Sequence, residues 1–305
     1  MRRVIVASAA VFLAAGCGSH TSSTGGAAPS GSLEAIYQRP GEDVALVAGA
    51  SDFAVGSIRF PFLVIRRDAK PVYRPQARVW VASGRTAKPF ERSTAVLEPI
   101  GVPGISEPAA GDVSKIYVAH LRIRQPGRYW VVAEPVGGMP IQAIYVLDVK
   151  RRTASIPVGS KAFPSRTPTL ASTHGDVAQL TTRTPPDRPL LQYSVAGSLA
   201  ARRPFVATFA TPRFCESRTC GPVVDVLERV HRQFAHRRIR FIHVEVYRDN
   251  KPALGYNRWM REWGLESEPW VFLVGSDGRV KAKYEGSVSA AELAGAVRRL
   301  LLPSK

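Results

Sequence analysis

Two cysteines lie between a short apolar run and an amphipathic helix, and this placement constrains the fold more than any other feature. Residues 204–209 are apolar enough for a buried strand, and Gly221-Pro222 opens a helix whose apolar residues recur at helical spacing. Cys215 and Cys220 fall between the two. On one continuous helix, positions five apart point about 140° apart around the axis, so the sulfurs would not meet. Cys215 is therefore predicted to lie in a loop before the helix.

The segments that follow the helix predict alternating strands and helices. A second apolar run over 239–246 predicts another buried strand, and a short helical piece is predicted over 258–263. Two strands joined by a turn at 276–278 form a predicted hairpin over 270–284. A last helix begins at Ser289, which has the side chain of a helix N-cap. From residue 190 the predicted order is therefore β, α, β, α, β, β, α.

This order, with a cysteine pair between the first strand and its helix, resembles the thioredoxin fold. The resemblance covers residues 190–305 and rests on Phe214-Cys215, Cys220-Gly221-Pro222 and Glu268-Pro269-Trp270. Members of that family place an aromatic residue before the first cysteine and a cis proline before a later strand, facing the pair. The resemblance implies an α/β thioredoxin-like fold and thiol–disulfide oxidoreductase activity, without a metal or another cofactor. The implied catalytic residues are Cys215, Cys220 and Pro269, and the implied substrate contacts are Phe214, Glu268 and Trp270.

Two features depart from the family pattern. The spacing is Cys-x4-Cys, two residues longer than in the family, and counting back along the helix makes Cys215 the attacking cysteine and Cys220 the resolving one. The helix N-terminus favours a thiolate at Cys220 instead, so the sequence leaves both assignments open. The family also buries an acidic residue on the strand before the pair, whereas 206–209 reads Val-Ala-Thr-Phe. Proton transfer in the resolving step is then expected to be slow or to run through water.

Other functions are compatible with the same residues. A non-catalytic binding lipoprotein would use the thioredoxin-like part as a scaffold. A copper chaperone of the Sco type would need a histidine ligand, and His243 is the nearest candidate. A peroxidase would need a threonine three residues before the cysteine, whereas Thr211 lies four before Cys215. An aromatic set could either line a substrate groove or pack in the core; its members are Tyr256, Trp259, Trp263 and Trp270.

The N-terminal residues resemble a bacterial lipoprotein signal. Two arginines follow Met1, an apolar run covers 4–15, and Ala14-Ala15-Gly16 precedes Cys17. The run is too short for a bilayer crossing, which needs about 20 residues. The resemblance implies cleavage before Cys17 and acyl chains on that residue. It implies a membrane-anchored protein on the extracytoplasmic face, whose partners are exported proteins that contain cysteines.

The sequence before residue 190 divides by composition. Residues 1–16 are the predicted signal peptide, and the Ser-, Thr- and Gly-rich residues 17–33 predict a flexible tether. Residues 34–150 predict an immunoglobulin-like β-sandwich, and the Ser-, Thr- and Pro-rich residues 151–189 predict a linker. The clearest predicted strands cover 44–47, 60–65, 78–81, 116–123, 129–133 and 143–149. Nothing in this part identifies what the β domain binds.

The net charge is +18 over 305 residues, which raises the question of a nucleic-acid partner. The excess of cations is spread along the chain and is mostly arginine, without a patch large enough for a nucleic-acid surface. The charge therefore predicts an ordinary solvated surface and no nucleic-acid partner.

Overall fold

The computed structural model describes residues 28–106, 113–215 and 218–302. The predicted signal peptide, the predicted lipidation site Cys17 and residues 17–27 of the predicted tether lie outside this part. Two β-sheets organise the described chain, one with seven strands and one with four. Among the helices described, none combines the length and the apolar character that a membrane crossing requires.

The first sheet is entirely antiparallel, and its strand order is β1-β2-β5-β4-β3-β6-β7. A short helix, α1, packs beside it. These elements are α1 (Leu33–Tyr37), β1 (Val44–Ala48), β2 (Gly56–Arg66), β3 (Gln76–Ala82), β4 (Glu91–Pro99), β5 (Lys115–Ile123), β6 (Gly127–Pro135) and β7 (Ala143–Val149).

The first sheet differs from the predicted sandwich of two separate sheets. β4 pairs with β5 over Val96–Pro99, and this pairing joins β1-β2-β5 to β4-β3-β6-β7 in one continuous sheet. The sheet curls into a barrel-like form in which both halves bury apolar side chains in one core, with Phe62 on β2 and Val131 on β6 among them. Isolated bridges between Glu42 and Ile141 and between Ala54 and Lys150 bring the two ends of the sheet together.

The second sheet has the strand order β11-β10-β8-β9, in which β8 and β9 are parallel and the other pairs are antiparallel. The order predicted from residue 190 is confirmed from Phe205 onward, whereas the helix over Val195–Ala200, before the first strand of this sheet, was not predicted. The elements are α2 (Val195–Ala200), β8 (Phe205–Phe209), α3 (Cys220–Phe234), β9 (Arg240–Val244), α4 (Arg258–Glu262), β10 (Trp270–Val274), β11 (Val280–Glu285) and α5 (Ala290–Leu300).

Helices α3 and α5 cover one face of the second sheet because each presents an apolar stripe. Val223, Leu227 and Val230 on α3 are buried together with Leu293 and Val297 on α5. α3 begins at Cys220, one residue earlier than predicted. The other face of the sheet packs a second core around α4, so both faces of the sheet are covered, as its apolar strands require.

The two segments predicted to be flexible are partly packed where the structure describes them. Ser32 caps α1, and Leu33 is fully buried beside the first sheet, so the end of the predicted tether belongs to the folded part. Residues 151–189 contain no regular strand, yet Ser165, Leu170 and Leu180 are buried. This segment therefore lies along the second sheet, although its composition resembles that of a linker.

Polar contacts join the two sheets. Arg59 on β2 donates two hydrogen bonds to the carboxylate of Glu292 on α5, at 2.8 and 2.9 Å. The Glu285 carboxylate at the end of β11 accepts hydrogen bonds from the backbone N–H groups of Ser51 and Asp52, at 2.9 and 2.8 Å. These contacts hold the first sheet against the hairpin that precedes α5.

Replacing Arg59 with alanine is expected to weaken this contact between the sheets. The Arg59 and Glu292 side chains are only 12% and 18% exposed, so the change leaves a largely desolvated carboxylate without its cation. We expect a loss of about 2 kcal/mol in the free energy of unfolding, measured by urea titration. The control is Arg67→Ala, because Arg67 and its partner Asp43 are 84% and 64% exposed. The control should change stability by no more than about 0.5 kcal/mol, and equal losses in both variants would contradict the expectation.

Candidate redox site

The cysteine pair lies between the end of β8 and the first residue of α3. Cys215 lies in the connecting loop and is half-buried, whereas Cys220 is the first residue of α3 and is fully buried. Both are reduced in the structure. The predicted placement of Cys215 in a loop before the helix is therefore confirmed.

The start of helix α3 is directed at the sulfur of Cys215. The backbone N–H of Cys220 donates a hydrogen bond to the Cys215 Sγ, with an N···S distance of 3.2 Å. A backbone N–H at a helix N-terminus stabilises negative charge on the group that it contacts. The sequence alone suggested that this effect favours Cys220, but the geometry gives this hydrogen bond to Cys215.

The surroundings of Cys220 keep its side chain protonated. Burial raises the pKa of the Cys220 thiol, and a hydrogen bond with Cys215 raises it further. A hydrogen bond from the Thr211 backbone lowers the pKa, but it does not offset these effects. The two cysteines thus occupy different environments, because Cys215 is half-buried with its sulfur at the N-terminus of α3, whereas Cys220 is fully buried.

The Glu268 carboxylate lies close to both sulfurs, and Glu268 is followed by Pro269 just before β10. The Glu268–Pro269 peptide bond is cis and leads directly into β10, in agreement with the position expected for the cis proline. A carboxylate oxygen of Glu268 and the sulfurs of Cys215 and Cys220 all lie within 4.8 Å of one another. The structure therefore brings together three of the residues that the sequence pattern selected, Cys215, Cys220 and Glu268.

Two tyrosines hold the Glu268 carboxylate. The Tyr256 hydroxyl donates a hydrogen bond to Glu268 Oε2 at 2.6 Å, and the Tyr247 hydroxyl donates a longer one to Oε1 at 3.4 Å. The two rings stack with their centroids 5.3 Å apart, which fixes both hydroxyls on the same side. Sequence analysis included Tyr256 only as part of an aromatic set and missed Tyr247, because no spacing rule links either residue to Glu268.

The remaining predicted substrate contacts lie in different surroundings. Phe214 is half-buried, and the guanidinium of Arg213 lies 5.5 Å from its ring centroid. The Trp270 side chain is buried, stacks on Phe272 and donates from Nε1 to Ser267 Oγ at 3.1 Å. The buried Trp270 side chain is therefore not placed to contact a substrate in this structure.

A cleft of about 740 Å³ opens beside the pair, between the two sheets. Its walls come from both sheets, and they include Ser51, Ile105 and Ile116 on one side and Pro222, Glu268 and Glu285 on the other. The first sheet and its connecting loops thus form one side of the cleft that Glu268 lines.

The donor atoms near the pair suit redox chemistry better than copper binding. His243 is buried, and its Nε2 lies 3.0 Å from the Ala210 carbonyl oxygen, while its Nδ1 lies 3.4 Å from Thr181 Oγ1. Among the described residues, the group near the two sulfurs is the carboxylate of Glu268, not His243. Cu(I) prefers sulfur and imidazole donors, so the ligand set predicted for a copper chaperone is not assembled.

Comparisons with known proteins found little. No family model matches the chain, and neither does any curated protein. Among solved structures, the chain is similar to a thiol:disulfide interchange protein, described as a thioredoxin family protein, from Chlorobium tepidum TLS. The identity is 16% and the TM-score is 0.28, over 34% of this chain and 82% of that one.

Proposed function

We propose that this chain is a thiol–disulfide oxidoreductase that exchanges disulfides through Cys215 and Cys220. The observation that carries the proposal is the unequal pair itself. The sulfur of the half-buried Cys215 accepts a hydrogen bond from the Cys220 N–H at 3.2 Å, and the sulfur of the buried Cys220 lies within 4.8 Å of it. Such a pair can attack a disulfide with one sulfur and release the product with the other.

The exchange proceeds in two substitutions at sulfur. The Cys215 thiolate attacks a substrate disulfide, a Cys215–substrate bond forms, and the first substrate sulfur leaves as a thiolate. The Cys220 thiol then loses its proton and attacks the Cys215 sulfur, which releases the second substrate sulfur. Two electrons pass from the protein to the substrate, which ends as a dithiol while Cys215 and Cys220 become a disulfide. The same steps in reverse oxidise a substrate dithiol.

The cellular setting is part of the proposal and rests on the sequence. Acyl chains on Cys17 would anchor the protein at the extracytoplasmic face of the cell membrane. In that compartment disulfides persist, so the partners would be exported proteins that contain cysteines. Release of the protein from membranes by a Cys17→Ala substitution, judged by fractionation, is the direct test of the anchor.

The domain assignments also belong to the proposal. We take residues 34–150 as an immunoglobulin-like domain, 151–189 as a packed connecting segment and 190–305 as the thioredoxin-like domain. The strand groups β1-β2-β5 and β4-β3-β6-β7 support the first assignment, because each could form one layer of a sandwich. The order β11-β10-β8-β9, with the pair at the start of α3, supports the last.

A redox titration tests the oxidoreductase function. The protein is equilibrated in dithiothreitol buffers of graded potential, alkylated, and weighed by mass spectrometry to count the thiols at Cys215 and Cys220. We expect a single two-electron transition above about −300 mV, together with reduction of a reporter disulfide such as that of insulin. A Cys215→Ser/Cys220→Ser double variant is the control. A disulfide that is still not reduced at potentials below about −300 mV would instead support the non-catalytic scaffold. So would a pair of thiols that never forms a disulfide.

A further inference from the structure

The resolving step needs an acceptor for the proton of a buried thiol. Cys220 is fully buried, and its environment holds the pKa of its thiol above the ordinary value. Strand β8, which runs beneath the pair, offers no acid, because Phe205–Phe209 consists of four apolar residues and Thr208. Without another group near the sulfur, the proton would have to leave through water.

We infer that the Glu268 carboxylate accepts the Cys220 proton as this thiol attacks the mixed disulfide on Cys215. The inference rests on the proposed oxidoreductase function and assigns a catalytic residue to its second step. It places the proton acceptor next to the cis proline that precedes β10, instead of on β8, where the family's acid was expected.

The geometry gives Glu268 direct access to the reacting atoms. Its carboxylate oxygen lies within 4.8 Å of both sulfurs. That separation allows a direct proton transfer after a small side-chain adjustment, or a transfer through one intervening water, which is the reach required of a general base. Glu268 is half-buried and lines the cleft, so solvent can remove the proton after the step.

Two tyrosines orient the Glu268 carboxylate as a proton acceptor. Hydrogen bonds from Tyr256 at 2.6 Å and Tyr247 at 3.4 Å fix the plane of the carboxylate and favour its ionised form. The ionised carboxylate also raises the pKa of Cys220 by repulsion between like charges. Protonation of Glu268 removes that repulsion at the moment when the Cys220 thiolate is needed. Tyr256 and Tyr247 are therefore positioning residues in this step.

Other ionisable groups in the described wall of the cleft have different roles. Asp225 accepts hydrogen bonds from Arg183 at 2.6 Å and from Ser106 at 2.8 Å. Glu285 is held by the contacts to Ser51 and Asp52 described above. Arg218 also lines the cleft. Among the described residues, neither Asp225 nor Glu285 belongs to the cluster formed by the two sulfurs and Glu268.

The step balances within the protein and its substrate. The Cys220 S–H bond breaks and its proton moves to a Glu268 oxygen, while the Cys220 sulfur bonds to the Cys215 sulfur. The bond between Cys215 and the substrate breaks, and its electron pair leaves on the substrate sulfur. That thiolate takes a proton from Glu268 or from water, which returns the carboxylate to its ionised form.

A two-phase reaction with an aromatic disulfide reagent separates the steps. In stopped flow with excess Ellman's reagent and a chelator, attack by Cys215 releases one coloured thiolate, and resolution by Cys220 releases a second. We expect Glu268→Gln to slow the second phase by about 100-fold and to leave the first within about threefold. In the wild type, the rate of the second phase should fall as the pH is lowered, because Glu268 becomes protonated. In Glu268→Gln, the rate of the second phase should not show this decrease at low pH. Glu268→Asp should recover part of the rate.

Controls separate this role from a structural one and from the proposed function itself. Glu266→Gln changes an exposed carboxylate two residues away and should leave both phases unchanged. The thermal midpoints of wild type and Glu268→Gln are compared to confirm folding. An unchanged second phase in Glu268→Gln, or an equal slowing of both phases, would overturn the inference. Absence of a second phase in the wild type would instead count against the oxidoreductase function.

Discussion

Replacing Cys215 with serine is expected to lower the rate of disulfide exchange by at least about 1,000-fold. The reason is the inequality of the two sulfurs. Cys215 is the less buried of the two, and its sulfur accepts a hydrogen bond from the Cys220 N–H at 3.2 Å. Cys220 is fully buried, and the pKa of its thiol is raised. A buried, protonated thiol cannot take over the first attack. The rate is measured as insulin reduction with dithiothreitol as the electron donor.

The matched variant Cys220→Ser should behave differently because it loses only the second step. Its backbone N–H still contacts the Cys215 sulfur, so the first attack survives and a mixed disulfide with the substrate accumulates. Non-reducing gels followed by mass spectrometry should recover covalent complexes from Cys220→Ser and none from Cys215→Ser. The reverse pattern would mean that Cys220 attacks first, and equal failure in both variants would favour the scaffold function.

The local parts of the site could be predicted from the sequence. The placement of Cys215 outside the helix follows from helical geometry, and the assignment of Pro269 as a cis proline came from the resemblance to the thioredoxin fold. Contacts between distant residues could not be predicted in this way. Tyr247 and Glu268 are 21 residues apart, and no periodic pattern marks a tyrosine that meets a carboxylate across a fold. The hydrogen bonds that hold the Glu268 carboxylate therefore became visible only in three dimensions.

The strand pairing of the first sheet could not be predicted from the sequence either. The predicted runs correspond to six of the seven strands, and the missing one is β4. Its sequence, ERSTAVLEP, is mostly polar, and only Ala95 is fully buried, so its side chains produce no strong hydrophobic alternation. β4 is also the strand that pairs with β5 and joins the halves of the sheet. Backbone hydrogen bonds form this pairing, and the hydrophobic pattern does not record them.

Sequence analysis did not decide whether the aromatic set lines a substrate groove or packs in the core. In the structure Trp263 belongs to the core. It is fully buried, with its ring centroid 4.7 Å from that of Phe272 and 5.2 Å from that of Phe209. Its Nε1 donates to Ser165 Oγ at 3.0 Å, which ties the segment before α2 to the second sheet. Removing the indole thus opens a cavity and breaks this hydrogen bond.

Trp263→Ala is therefore expected to lower the free energy of unfolding by about 3–5 kcal/mol, measured by urea titration. The control is Phe163→Ala in the same connecting segment, because Phe163 is 44% exposed and its removal should change stability by less than about 0.5 kcal/mol. Trp263 packs on the face of the sheet opposite α3, so exchange through Cys215 should persist without denaturant. A loss of exchange in a variant that remains folded would place Trp263 in the substrate site instead of the core.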